Sequence, residues 1–151
     1  MSDVTSSYVE ELEALWQSDF PLNRSMRLTV ADYKPGLIQT KAPLEGNTNT
    51  HGTAFAGSLY ALQALSAWGL IWLELRRAGI DASIIHASGD IKFHAPLGTD
   101  IAIQCHWSDY PQLLAQLRDT GRIKFELHTT VALGAEHCAE FSGVYVVRKE
   151  L

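Results

Sequence analysis

The chain has 151 residues, 46% of them hydrophobic, which is enough apolar material for one domain with its own core and leaves no need for a second. A net charge of −5 and a pI near 5.6 give little attraction for polyanions, so nucleic-acid binding is not expected. Cys105 and Cys138 are too few for a disulfide framework and read as reduced, buried thiols of a cytoplasmic protein, and the N-terminus MSDVTSSYVEELEALW lacks the basic-then-apolar pattern of a secretory signal.

Residues 3–17 predict a short amphipathic helix with Val9, Leu12, Leu15 and Trp16 on one stripe, closed by Pro21 and packed on the rim. The expected division is therefore residues 1–20 as an N-terminal helix and 21–151 as a single domain. Met26–Tyr33 and Leu37–Leu44 alternate about Pro35-Gly36 and predict a β-hairpin. The loop Glu45–Gly52, rich in Asn, Thr and Gly, then feeds the longest apolar stretch of the chain.

From Ala54 to Leu73 almost every residue is apolar or small, so a helix here must be covered on nearly every side. Thr53 is the expected N-cap, and Arg76, Arg77 and Gly79 are the cations and left-handed residue of a C-terminus. The length would suffice for a membrane span. Ser58, Tyr60, Gln63 and Ser66, and the amphipathic strands on either side, argue instead for a sheet wrapped round the helix, with no membrane partner.

Beyond Gly79 the period becomes two. In Ser83–Ala95, Ile85, Ala87, Gly89, Ile91, Phe93 and Ala95 are expected on a greasy inner face, and Ile84, His86, Ser88, Asp90, Lys92 and His94 on a polar one. Asp100–Trp107 reads as a strand, Tyr110–Asp119 as a short helical turn ended at Gly121, and Arg122–Leu133 and His137–Val147 as two long strands joined at Gly134-Ala135. The order predicts an α+β domain: a curved antiparallel sheet of about six strands around one long central helix.

Several motifs carry a resemblance. Asn49-Thr50-His51-Gly52-Thr53-Ala54-Phe55-Ala56-Gly57-Ser58, followed by Trp68-Gly69, is similar to the thioesterase domain known from the C-terminal half of YiiD-type proteins. Ser88-x-Asp90-Ile91-Lys92-Phe93-x-x-Pro96 resembles the strand that follows the helix in hotdog-fold thioesterases, and Phe141-x-Gly143-x-Tyr145 also matches. The resemblance covers about residues 20–148. It implies the hotdog fold, hydrolysis of acyl-CoA or acyl carrier protein thioesters, and a homodimer or dimer of dimers joined through the strand at 83–95.

The residues of the motif support such chemistry on physical grounds. Free N–H groups at the helix start, expected from Ala54 to Gly57, make a site for the negative charge of a thioester oxyanion. Gly57 would let a carbonyl approach the backbone, while Asn49 and Thr53 would bind and polarise it. Many hotdog thioesterases also carry an acid on the helix after a His-Gly-Gly. Aligned by Gly52-Thr53, the histidine's position here is Phe55 and the acid's is Ala64, so the usual acid is missing.

The candidates for the base are then His51, Ser58, Gln63, Ser66, His86, Ser88 and Asp90, with Asp90 ranked first and His51 next. Phe55, Leu59 and Leu62 are expected along the acyl chain, with Ser58 and Ser88 as further substrate contacts. Lys92, Arg122 or Lys124 would meet the coenzyme phosphates. No His-x-x-x-His or Cys-x-x-Cys spacing occurs among the six histidines and two cysteines, so neither metal nor cofactor is expected. A non-catalytic acyl-binding module and a hotdog dehydratase are the alternatives.

Overall fold

The computed structural model describes residues 3–150. Helix α1 spans Asp3–Asp19, and a single turn, α2, follows at Asn23–Met26, where the sequence suggested the start of a strand. Strands β1 (Thr29–Lys34) and β2 (Leu37–Ala42) form the hairpin expected about Pro35-Gly36. The central helix α3 runs Ala56–Ala78, and β3 (Ala82–Phe93), β4 (Ile101–His106), α4 (Tyr110–Thr120), β5 (Arg122–Leu133) and β6 (Glu136–Lys149) complete the order.

All six strands join one antiparallel sheet in the order β1-β2-β4-β5-β6-β3. The sheet wraps α3, which touches β2 through β6 with its apolar sides. This is the hotdog arrangement. Leu62, Leu70, Ile71 and Leu73 are fully buried between helix and sheet, each worth about 1.5–3 kcal/mol of apolar burial. Length and composition alone would let α3 cross a membrane; here sheet and α1 enclose it.

The polar groups on the buried helix are tied across to strands. Ser66 Oγ lies 2.7 Å from Thr40 Oγ1, and Thr129 Oγ1 donates to Gln63 Oε1 at 2.8 Å. Both side chains are therefore spent on the core, where an unpaired polar group would be costly. At the far end, Gly79 adopts φ 68° and its N–H returns to Arg76 O, while Ile80 N–H returns to Leu75 O. That is the left-handed stop expected of this glycine.

Helix α1 does not sit on the rim. Val9, Leu12 and Trp16 are buried, and a Cβ at Gly69 of α3 would lie 2.6 Å from Trp16 Cζ2. The glycine is a notch into which the indole fits. Leu15, expected on the same stripe, is only half-buried.

The expected alternation of β3 fails in its first half, and the reason is a β-bulge. Pairing with β6 runs Ile85↔Val146 and His86↔Tyr145, then resumes at Ser88↔Val144, leaving Ala87 as the extra residue. A bulge places two consecutive residues opposite one and so exchanges the faces. After it, Gly89, Ile91 and Phe93 face the helix as expected; before it, Ile84 and His86 face the helix instead, and Ile85 is turned outward, 46% exposed. Strand β3 pairs only with β6, so its other edge is free among the described residues.

Candidate active site at the start of the central helix

The loop ahead of α3 is fixed from both sides. Asn47 is buried and its Nδ2 donates to Met26 O and Pro43 O, both at 2.9 Å. Its own carbonyl accepts from Phe55 N–H at 2.8 Å, and Ala54 N–H donates to Leu97 O at 2.8 Å. Two of the N–H groups expected to be free are thus used to pin the chain.

Asn49 organises the turn between them. Its Oδ1 accepts from the N–H of His51 (2.9 Å) and of Thr53 (3.2 Å), and its Nδ2 donates to Thr53 Oγ1 at 2.8 Å. Asn is suited to this because its short amide can replace the backbone as partner two to four residues on. Thr53 is consequently not the N-cap. The helix begins at Ala56 behind Phe55, an extended residue (φ −68°, ψ 133°), with no side-chain cap.

The N–H groups of Ala56, Gly57 and Ser58 have no acceptor among the described residues. Of the three, Ala56 borders a cleft of about 360 Å³, lined also by Asn49, Thr53, Leu59, Phe93 and Pro96. Backbone donors and the positive end of a long helix dipole converge there, which favours a developing negative charge. A Cβ at Gly57 would run into the ring of Phe55, so this glycine makes room for Phe55 rather than for a substrate carbonyl. Phe55, just before the helix, is 51% exposed, and Phe93, which lines the cleft, 49%.

A second, apolar cavity of about 410 Å³ opens one to three turns along the same helix. Phe20, Leu22 and Met26 from the α1–α2 arm form one wall, Ala61, Ala64, Leu65 and Trp68 the next, and His86 and Tyr145 the floor. Tyr145 Oη donates to Ala64 O at 2.9 Å, and Asn23 Nδ2 to Leu28 O at 3.2 Å, so these polar atoms are already satisfied. Burial pushes the Tyr145 phenol well above its usual range, with the Cys105 thiol adding to the shift, and it stays neutral.

Several expected site residues lie elsewhere. Asp90 pairs with Ser142 on the outer face of the sheet, in a hollow of about 300 Å³ with Lys92, His128 and Glu140. Odd and even residues of a strand face opposite ways, so Asp90, Lys92 and the Ser88 side chain point away from α3. Lys124 and Arg122 share that exposed outer face. His51 is exposed on the loop. Leu59 and Leu62 are buried in the core, and Leu62 lines neither cavity of the helix.

The residue undervalued by sequence reasoning is His86. Alternation put it on the polar face; the bulge at Ala87 turns it inward, and nothing in the spacing of this one chain marks a bulge. Its ring stacks on Tyr145 at 4.8 Å and on Tyr60 at 6.2 Å, with Phe141 edge-on at 5.7 Å. Its Nε2 lies 2.8 Å from Ser88 O.

An antiparallel sheet wrapped around one buried helix, with free backbone donors and an apolar cavity at that helix, defines a hotdog-fold protein. Residues 9–149 match the family described as "Putative thioesterase (yiiD_Cterm)", and the chain belongs to that family. Among solved structures it is similar to a putative thioesterase from Shewanella oneidensis, at 29% identity over 93% of this chain and 97% of that one, with a TM-score of 0.87. A protein of unknown function from Chlorobaculum tepidum is 23% identical over 94% of both chains at a TM-score of 0.87. Thioesterase superfamily member 2 from Mus musculus is 14% identical, covers 99% and 98%, and has a TM-score of 0.68. The last two share the fold.

Proposed function

We propose that this protein hydrolyses acyl thioesters of coenzyme A or of an acyl carrier protein, as a cytoplasmic homodimer, or a dimer of dimers, joined through the free edge of β3. The observation that carries the reading is the trio of unsatisfied N–H groups at Ala56, Gly57 and Ser58, at a helix start where Ala56 lines a cleft, with an apolar cavity further along the same helix. The thioester carbonyl oxygen sits on these donors and gains negative charge as water attacks, and each well-placed donor is worth about 3–4 kcal/mol of barrier. Asn49 and Thr53 hold the donors at their angle. Phe55 and Phe93 flank the reacting group and limit its contact with bulk water.

The acyl chain takes a different stripe of the helix from the one expected. Leu62 is closed off in the core and Leu59 reaches only the cleft, whereas Gly57, Ala61, Ala64 and Trp68 recur at helical spacing and lead from the donors into the apolar cavity. At about 410 Å³ it falls at the small end of the roughly 300–1,000 Å³ typical of ligand sites. Dimerisation follows from β3: a twelve-residue strand with one unpaired edge is a template for a second copy.

The test is to incubate the protein with acyl-CoAs and acyl carrier proteins of graded chain length and follow the release of free thiol, with sedimentation run at micromolar concentration. Turnover with a chain-length optimum and a dimer are expected. Tight binding of acyl-CoA without any thiol release would leave an acyl-binding module in place of an enzyme.

A further inference from the structure

We propose that His86 is the general base of the reaction: its Nδ1 removes a proton from the water that attacks the thioester. This rests on the thioesterase reading above.

Few titratable groups face α3 near its N-terminal half. Glu74 lies at the other end and is occupied by Tyr33 Oη, Gly36 N–H and Arg77. Asp90 faces the outer side of the sheet. The chain at His94 borders the cleft, but its ring is held by Glu140, with Nε2 2.9 Å from Oε2, and Glu140 belongs to the outer hollow. His51 is exposed in the loop. Tyr60 and Tyr145 face His86 from α3 and β6, and burial keeps the Tyr145 phenol protonated; Asp19 stands on the rim of the same cavity, exposed, with Oδ1 accepting from Ser18 Oγ at 2.9 Å. His86 is the group left.

Its geometry suits the role. A carbonyl oxygen only accepts, so the 2.8 Å contact from Nε2 to Ser88 O makes Nε2 the protonated nitrogen and leaves Nδ1 with its lone pair. This is the arrangement by which an orienting acceptor fixes a catalytic imidazole in one tautomer. Ser88 can play that part because the bulge brings its carbonyl back towards the ring two residues earlier. The ring is fixed between Tyr60 and Tyr145, and Tyr60 stands about one turn beyond Ala56, roughly 5.4 Å along the axis.

The step balances without any further reactant. Water adds to the carbonyl carbon as its proton passes to Nδ1, and the oxyanion rests on the N–H groups of Ala56 to Ser58. The carbon–sulfur bond then breaks, and the imidazolium returns the proton to the leaving thiolate. A carboxylic acid and a free thiol result.

The test uses the full chain with the best acyl-CoA from the panel, and with its non-hydrolysable thioether analogue for binding. His86→Phe keeps the aromatic stack and His86→Asn removes it, so loss of fold in one does not disable the other. Both are expected to bind the analogue within threefold of the parent while kcat falls about 10²-fold or more. The acidic limb of the parent's pH–rate profile should vanish, and added imidazole should restore part of the rate to His86→Ala. Asp90→Asn, on the other face, should turn over like the parent. If His86→Phe keeps its rate and its limb, or if His94→Gln or Asp90→Asn carries the loss instead, the assignment falls while the thioesterase reading stands. If the parent cleaves no acyl thioester, both fall together.

Discussion

The two ends of α3 are built on opposite plans. At the C-terminal end the buried carboxylate is fully engaged: Glu74, 1% exposed, accepts from Tyr33 Oη and from Gly36 N–H at 2.8 Å, and pairs with Arg77 at 2.9 Å, while Gly79 closes the last turn. Burial, helped by the Glu74 carboxylate, drives the Tyr33 phenol far up, so it remains a donor at all working pH values. At the N-terminal end the helix has no side-chain cap, three N–H groups stand open, and two exposed aromatic rings flank them. One end fastens the β1–β2 hairpin to the core; the other gives up that stability and keeps its donors for a ligand.

The comparison is broken most severely at its closed end. Glu74→Ala leaves Tyr33 Oη and Gly36 N–H without partners, and a loss of about 3–5 kcal/mol is expected in denaturant melts, with turnover per folded molecule unchanged. Next comes the open end: Asn49→Ala removes the amide that shapes the donor loop, and kcat for thiol release should fall about 10²-fold with under about 2 kcal/mol lost in the same melts. Thr53→Val severs both contacts of Thr53 Oγ1 with the Asn49 amide, accepted from Nδ2 at 2.8 Å and donated to Oδ1 at 3.2 Å, so about 1 kcal/mol of stability and a smaller drop in turnover are expected. Activity that falls no further than the folded fraction would make Thr53 a loop tie alone. The smallest effect belongs to Phe55→Ala, which uncovers Gly57 without touching the core; stability should hold within about 0.5 kcal/mol, and the readout is a raised KM for acyl-CoA.

Much of this contrast can be read from the residues in order. The apolar run at Ala54–Leu73 gave the buried helix, and Arg76, Arg77 and Gly79 gave its end, because these signals are local and periodic. The start lies two residues later than Thr53 suggests, behind Phe55. Thr53 satisfies every local rule for a cap, and it was drawn away by Asn49, a side-chain competitor that only the folded turn brings into place. The inner face of β3 was legible from Gly89 onward and reversed before it, since one inserted residue at Ala87 exchanges faces without altering composition. Asp90 ranks ahead of His86 in the sequence because it is the carboxylate nearest the expected cleft, while the bulge that turns His86 inward leaves no mark there. Trp16 looked like the end of a surface stripe because its seat, Gly69, lies far along the chain.

That seat has a consequence for how the protein can change. The arm that walls the apolar cavity, Phe20 to Met26, is hinged to a helix whose depth is set by Trp16 settling into the notch at Gly69. Phe20 meets Trp68 edge-on at 4.9 Å, so a lift of α1 is passed directly to the cavity wall. A methyl group added at position 69 touches neither the donors nor His86, yet it wedges the arm outward. Chain-length preference can therefore drift through generations at a site remote from the chemistry, as a peg and socket resized from behind the wall.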